Sequence, residues 1–336
     1  MRLKPALASS AIQLLATGLV VAASSAWATP PVVAVVSQQA ASVALIDVET
    51  TAVMATIAVP RVPAGIAAAP NGARLFVTHP DLGLISRIDV GARRVDARFS
   101  IGREPFGIAI IDAGRSLLVT DWSADALIRI DAETGAETGR VAIGRSPAGL
   151  VVDEAAGRAY VADRESDTLS VVELTSLTRI AVVPTGRAPF ALALSPDRER
   201  VYVANVRSGD LSVVSTARLI EVARPKVGLM PYGVAVTADG ARILVSNQQS
   251  GKLALVDADS LAVVADPRIG SYPEGIAALS NERAAAVNWA GDEVVLVDLA
   301  DVKVIARIGV GAGPRNLTIL PENGSMGATG ADRARP

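Results

Sequence analysis

The chain has no cysteine and one histidine, His79. The first absence excludes disulfides, thiol nucleophiles and thiolate metal sites. The second makes any His-dependent lyase, Ser-His-Asp triad or multi-histidine metal centre depend on a single residue. Aromatic residues are 3% of the 336, so each aromatic that does occur is informative. The formal net charge is −2, and no global basic field points to nucleic acid. Helix-type periodicity is not sustained beyond the N-terminal region. No later apolar run reaches the roughly 20 residues that cross a bilayer. Without cross-links, the fold must be held by packing alone.

The N-terminal region differs from the rest. Arg2 and Lys4 precede an apolar run that is strongest from Leu14 to Ala23. Ala26-Trp27-Ala28 then has the small-x-small pattern of a leader cleavage site. Residues 1–28 are expected to be a secretory signal, with the mature chain starting near Thr29. An uncleaved anchor is the competing reading, but Ser9, Ser10 and Gln13 interrupt the run. A cysteine-free exported chain fits a periplasmic or secreted location.

A period is present throughout the remainder. A glycine or its equivalent, two variable residues and a proline recur at Pro63, Pro105, Pro147, Pro189, Pro231, Pro273 and Pro314, spaced by 42 residues five times and then by 41. Length alone suggests two domains, but this period makes one repeat array. Each unit reads as four short strands separated by turn residues. In the unit at Pro189 these are Ala191–Leu194, Val201–Ala204, Leu211–Val214 and about Ile220 to Val227. The third strands end at Asp47, Asp89, Asp131, Glu173, Ser215, Asp257 and Asp298.

The termini complete the count. The chain after Thr29 starts on a second-type strand, Val33–Val36, and finishes on an unpaired first-type strand, Asn316–Leu320. If these pair, a ring closes and no open sheet edge remains between the ends. The expected fold is all-β, a seven-bladed propeller over 29–320 with four antiparallel strands per blade. The tail 321–336, rich in Gly, Ala and Arg, is expected to be disordered.

Val201-Tyr202-Val203-Ala204-Asn205 and Ala159-Tyr160-Val161-Ala162-Asp163, with third strands such as Leu253-Ala254-Leu255-Val256-Asp257 and the Gly-x-x-Pro joints, resemble the YVTN-repeat family of bacterial exported propellers. The resemblance covers about residues 32–320. It implies the blade fold. It also implies company that includes surface-layer proteins, periplasmic binding or accessory proteins and propellers beside quinoprotein dehydrogenases. Calcium-dependent lactonase propellers and haem d1 propellers are more distant.

Strand alternation puts the proline joints and the second-to-third loops on one face. First-type strands are expected innermost, so the joints ring a channel mouth. The opposite face collects acids such as Asp112, Asp153, Glu154, Asp197, Asp239 and Glu282. Arg61, Arg103, Arg145 and Arg187 stand two residues before four successive prolines, with Arg164, Arg207 and Arg315 nearby. Their planar forks suit carboxylate or phosphate. Solvated arginines in a common joint spelling are the plain alternative. Trp122, Trp289, Phe106, Phe190, Tyr232 and Tyr272 gather on the same face, either as wedges between blades or as an apolar floor for a ligand or a partner's aromatic anchor.

The second strands end in Ser37, His79, Asp121, Asp163, Asn205, Asn247 and Asn288. One short polar residue per blade fits turn-forming side chains. The competing reading is a Ca²⁺ site built from Asp121, Asp163, Asn205, Asn247 and Asn288. No other cofactor is expected. The function expected is a monomeric, non-catalytic binding or scaffold module, using the proline face for a protein partner or an anionic small molecule. His79 counts among its candidate contacts. A Ca²⁺-dependent lactonase-like hydrolase and an accessory of a periplasmic quinoprotein or cytochrome redox system are the alternatives.

Overall fold

The structure, a computed structural model, describes residues 31–321. The expected signal sequence and the C-terminal tail beyond Pro321 lie outside the described residues. Seven four-stranded antiparallel sheets form the blades of a propeller. Blade 1 joins Val32–Ser37, Ser42–Asp47 and Ala52–Ala58 to the C-terminal strand Pro314–Leu320. The pairing Val32↔Leu320 through Val36↔Asn316 closes the ring. The closing strand starts two residues earlier than the sequence suggests, at the proline itself. Blades 2 to 7 follow in chain order, each running from the centre outwards. Among the described residues no helix is long and apolar enough to cross a membrane.

The core lies between blades. Second and third strands alternate their apolar side chains to both faces of the sheet, so each blade is buried on two sides. Leu75, Val77 and Ile88 of blade 2 pack against Val36, Val43 and Leu45 of blade 1, and the same interdigitation repeats around the ring. The YVTN-like Tyr160 and Tyr202 are fully or almost fully buried blade-to-blade fillers. The residue ending each third strand turns the chain outwards. Asp47 Oδ1, for example, accepts the amides of Glu49 and Thr50, and Asp298 Oδ1 those of Ala300 and Asp301.

Two outer strands are shorter than their pattern suggests. In blade 5 the strand ends at Ala223, and in blade 6 it covers Val263–Ala265. Pro225 and Pro267 follow, and proline cannot donate to a ladder. Only single bridges, Asp210↔Lys226 and Lys252↔Arg268, continue the pairing.

The innermost strands begin Ile66, Pro105, Pro147, Pro189, Pro231, Pro273 and Pro314. They crowd round the axis, and the positions two after the prolines are mostly glycine. A Cβ on Gly65 would stand 2.3 Å from the Phe106 carbonyl oxygen of the next blade. Three hydroxyls use this closeness. Thr78 Oγ1 accepts Gly65 N–H and donates to Phe106 O, Thr120 Oγ1 does the same between Gly107 and Ala148, and Ser246 Oγ between Gly233 and Glu274. These clamps join blades 2 to 3, 3 to 4 and 6 to 7.

Candidate ligand-binding site at the channel mouth

Each joint proline of blades 1 and 3 to 7 sits opposite the residue ending the second strand, as in Pro147↔Asp163 and Pro189↔Asn205. The register then slips immediately after the proline. Such a bulge re-aims the side chain it contains. The post-proline residues Ala64, Phe106, Ala148, Phe190, Tyr232, Glu274 and Arg315 therefore form one ring around the axis.

Their sizes decide who meets whom. Ala148 of blade 4 is buried and small, so Phe106 of blade 3 reaches Phe190 of blade 5, with centroids 5.6 Å apart and edge to face. Phe190 continues to Tyr232 at 4.3 Å. Trp122, on the second-to-third loop of blade 3, packs tilted against Phe106, with centroids 5.3 Å apart. Arg315 enters from blade 1 past Ala64, and its guanidinium lies 5.8 Å from the Phe106 centroid and 6.0 Å from that of Tyr232. It donates to the Tyr232 hydroxyl at 2.7 Å and to Gln38 Oε1 at 3.2 Å. Arg164 caps Trp122 at 5.6 Å. Such contacts add about 0.5–2 kcal/mol each beyond burial.

The cluster divides two spaces. Above it is a recess of about 390 Å³, to which Trp122, Arg164, Met230 and Val206 also contribute. Below it is a channel segment of about 180 Å³, walled by inner-strand backbone and by Ile66, Ile108, Leu150, Leu192, Val234 and Ile276. Phe106, Phe190, Tyr232 and Arg315 line both. They are the floor of one and the roof of the other.

The recess is not simply basic. Asp81 and Glu104 also line it, and Glu104 accepts the Ser123 hydroxyl. Arg164 pairs with Glu165, which also takes a bidentate contact from Arg207 at 2.9 and 3.0 Å. Beside the floor, Glu274 is 4% exposed, and burial pushes its carboxyl up to about 7 against the pull of Arg315. Burial also pushes the Tyr232 phenol up, so it stays protonated.

Several residues singled out by sequence lie elsewhere. Arg61, Arg103, Arg145 and Arg187 are exposed and do not line the recess. Arg145 and Arg187 turn back onto the carbonyls of Glu165 and Arg207. Trp289 pairs with Tyr272 at 6.5 Å on blade 7, apart from the main cluster. His79 is fully buried, its Nδ1 3.2 Å from the Arg61 carbonyl, and burial lowers it to about 4. It is neutral and outside the recess.

The second-strand end residues are also buried. Asp121 accepts the amides of Arg103, Glu104 and Ala124. Asp163 accepts the hydroxyls of Thr168 and Ser170, Asn205 donates to Asp210 and Ser212, Asn247 to Val227 O, and Asn288 to Ile269 O. Each packs on the glycine of its own joint, so the five candidate calcium ligands are spread one per blade. Among the described residues, no group of three or more His, Asp or Glu could hold a metal ion.

Nothing in the composition marks Glu274, and Arg315 stands out in the sequence only as one of a basic group. The available signal was their position. Both directly follow a joint proline, as Phe106, Phe190 and Tyr232 do.

The sequence matches no protein-family model and no curated protein. Solved structures resemble it in fold. A functionally unknown protein from Desulfotomaculum acetoxidans superposes with a TM-score of 0.75 at 12% identity, covering 86% of this chain and 99% of that one. Hydrazine synthase from Kuenenia stuttgartiensis gives 0.70 at 17%, covering 79% and 91%. The dihydro-heme d1 dehydrogenase NirN, in complex with DHE, gives 0.66 at 15%, covering 88% and 76%. At these identities the likeness shows the propeller fold alone.

Proposed function

We propose that the chain is an exported binding propeller of the YVTN-repeat type whose channel mouth takes a planar, anionic small molecule. The observation that carries this reading is the floor of the recess. Three aromatic rings and the guanidinium of Arg315 are packed there at stacking distance, with Trp122 and Arg164 as a second such pair on the wall. Aromatic faces bind a planar ring, and arginine forks bind a carboxylate in the same plane. Affinity comes from these short-range contacts, because Asp81 and Glu104 offset the long-range field. The recess lining has no histidine, serine, threonine or lysine, and its polar side chains are Gln38, Asp81, Glu104, Tyr232 and the two arginines.

The test is calorimetric titration with 2-naphthoate, a planar aromatic carboxylate. Saturable sub-millimolar binding is expected. Naphthalene-2-carboxamide should bind at least tenfold more weakly, and Arg164→Gln should weaken 2-naphthoate by a similar factor. Equal affinity for acid and amide would contradict the reading.

A further inference from the structure

Glu274 is the post-proline residue of blade 7, between Tyr232 of blade 6 and Arg315 of blade 1. Its Oε1 accepts from Gln248 Nε2 at 2.7 Å. Its Oε2 is buried, has no hydrogen-bond partner and lies 3.9 Å from Arg315 Nε. A carboxylate taken out of water needs close pairing to stay ionised. This one gets a long contact from a guanidinium that also serves Tyr232 and Gln38. Arg315 therefore has a weakly held counter-ion, and it forms part of the recess floor.

We propose that the carboxylate of an aromatic ligand replaces Glu274 as the counter-ion of Arg315, and that Glu274 takes up a proton from solvent as the ligand docks. Anion and proton then bind together. This deepens the function proposed above and rests on it. No covalent bond changes except the new O–H on Glu274. Arg315, Gln248 and Tyr232 face Glu274. Arg315 is the cation, Gln248 is neutral, and Tyr232 is a protonated phenol. Arg164, Asp81 and Glu104 line the recess above. The carboxyl rests near neutrality in the free protein, raised first by burial and lowered by Arg315. Without this coupling, ligand and Glu274 would place two carboxylates on one guanidinium.

A proton taken up on binding makes affinity fall as pH rises above the free-state value. 2-Naphthoate, ionised above about pH 5, is expected to bind on the order of thirtyfold more tightly at pH 6 than at pH 8.5. Calorimetry of the wild-type protein at pH 8 in triethanolamine and in Tris, two cationic buffers of different ionisation enthalpy, should show uptake of nearly a full proton per ligand. Glu274→Gln, which keeps the shape, should bind tightly with a flat pH profile, and Asp163→Asn should keep the wild-type slope. Binding that is pH-independent in the wild type, or still pH-dependent in Glu274→Gln, overturns the coupling while leaving the site in place. Failure of 2-naphthoate to bind at any pH overturns the site itself. The wild-type proton count needs no variant and is read whether or not Glu274→Gln folds.

Discussion

Arg315 Nη2 donates to the Tyr232 hydroxyl at 2.7 Å, although 83 residues separate them in the chain. The bond spans the channel mouth from blade 1 to blade 6, over Glu274 of blade 7. It forms only because the ring is closed by the C-terminal strand, which brings position 315 back beside Gln38. Closure of the fold and completion of the site are the same event.

The hydroxyl clamps connect packing to that site. The carbonyls they hold belong to Phe106, Ala148 and Glu274, all members of the post-proline ring. Thr120→Val should leave Gly107 N–H and Ala148 O without partners in a tight seam. Chemical denaturation should show a loss of about 1–3 kcal/mol, with Thr120→Ser restoring most of it. The equivalent positions in blades 1, 4, 5 and 7 are Val36, Ala162, Ala204 and Val287, so the effect is specific to the clamped seams.

Asp163 and Asp121 occupy equivalent positions and should respond oppositely to amidation. Burial raises Asp163 to about 6, against the hydrogen bonds from Ser170 and Thr168. Its unfolded value is about 3.9. The folded state therefore holds the proton more tightly, and the stability this confers is complete below about pH 4 and lost as pH rises through about 6. Asp163→Asn should stabilise the protein by about 1–2 kcal/mol at pH 7.5 and give no gain at pH 4. Asparagine already serves at Asn205, Asn247 and Asn288. Asp121 accepts three backbone amides, and Asp121→Asn should destabilise at both pH values. Thermal melts of the two variants check this.

Arg61, Arg103, Arg145 and Arg187 are exposed and outside the recess. Changing all four to Ala is expected to alter 2-naphthoate affinity by less than about threefold, the scale of a screened surface effect. A loss of tenfold or more would return the binding role to this exposed arc.

The blade count and ring closure were legible because they depend on spacing, and the joint prolines mark it without error. The inner position of the first strands followed from the same grammar. The strand ends were less legible, since Pro225 and Pro267 interrupt a continuous β pattern by removing donors. The site was half legible. Aromatics beside prolines stood out against a 3% background. Glu274 did not, because one acid among many carries no compositional signal. Its meaning comes from the bulge after the proline, which turns that side chain into the seam beside Arg315. Repetition made the arginines before the prolines conspicuous. The ring that lines the mouth is instead the position where the blades differ.

On the function proposed above, a ligand seats in the recess over Phe106, Phe190, Tyr232 and Arg315. Fluorine NMR of the protein labelled with 5-fluorotryptophan reads that seat, with Trp122 and Trp289 assigned through Trp122→Phe and Trp289→Phe. Trp122 lines the recess and Trp289 does not. Addition of 2-naphthoate is predicted to shift the Trp122 resonance saturably and leave that of Trp289 in place. A shift confined to Trp289, or none at either residue under saturating ligand, would rule out binding in the recess.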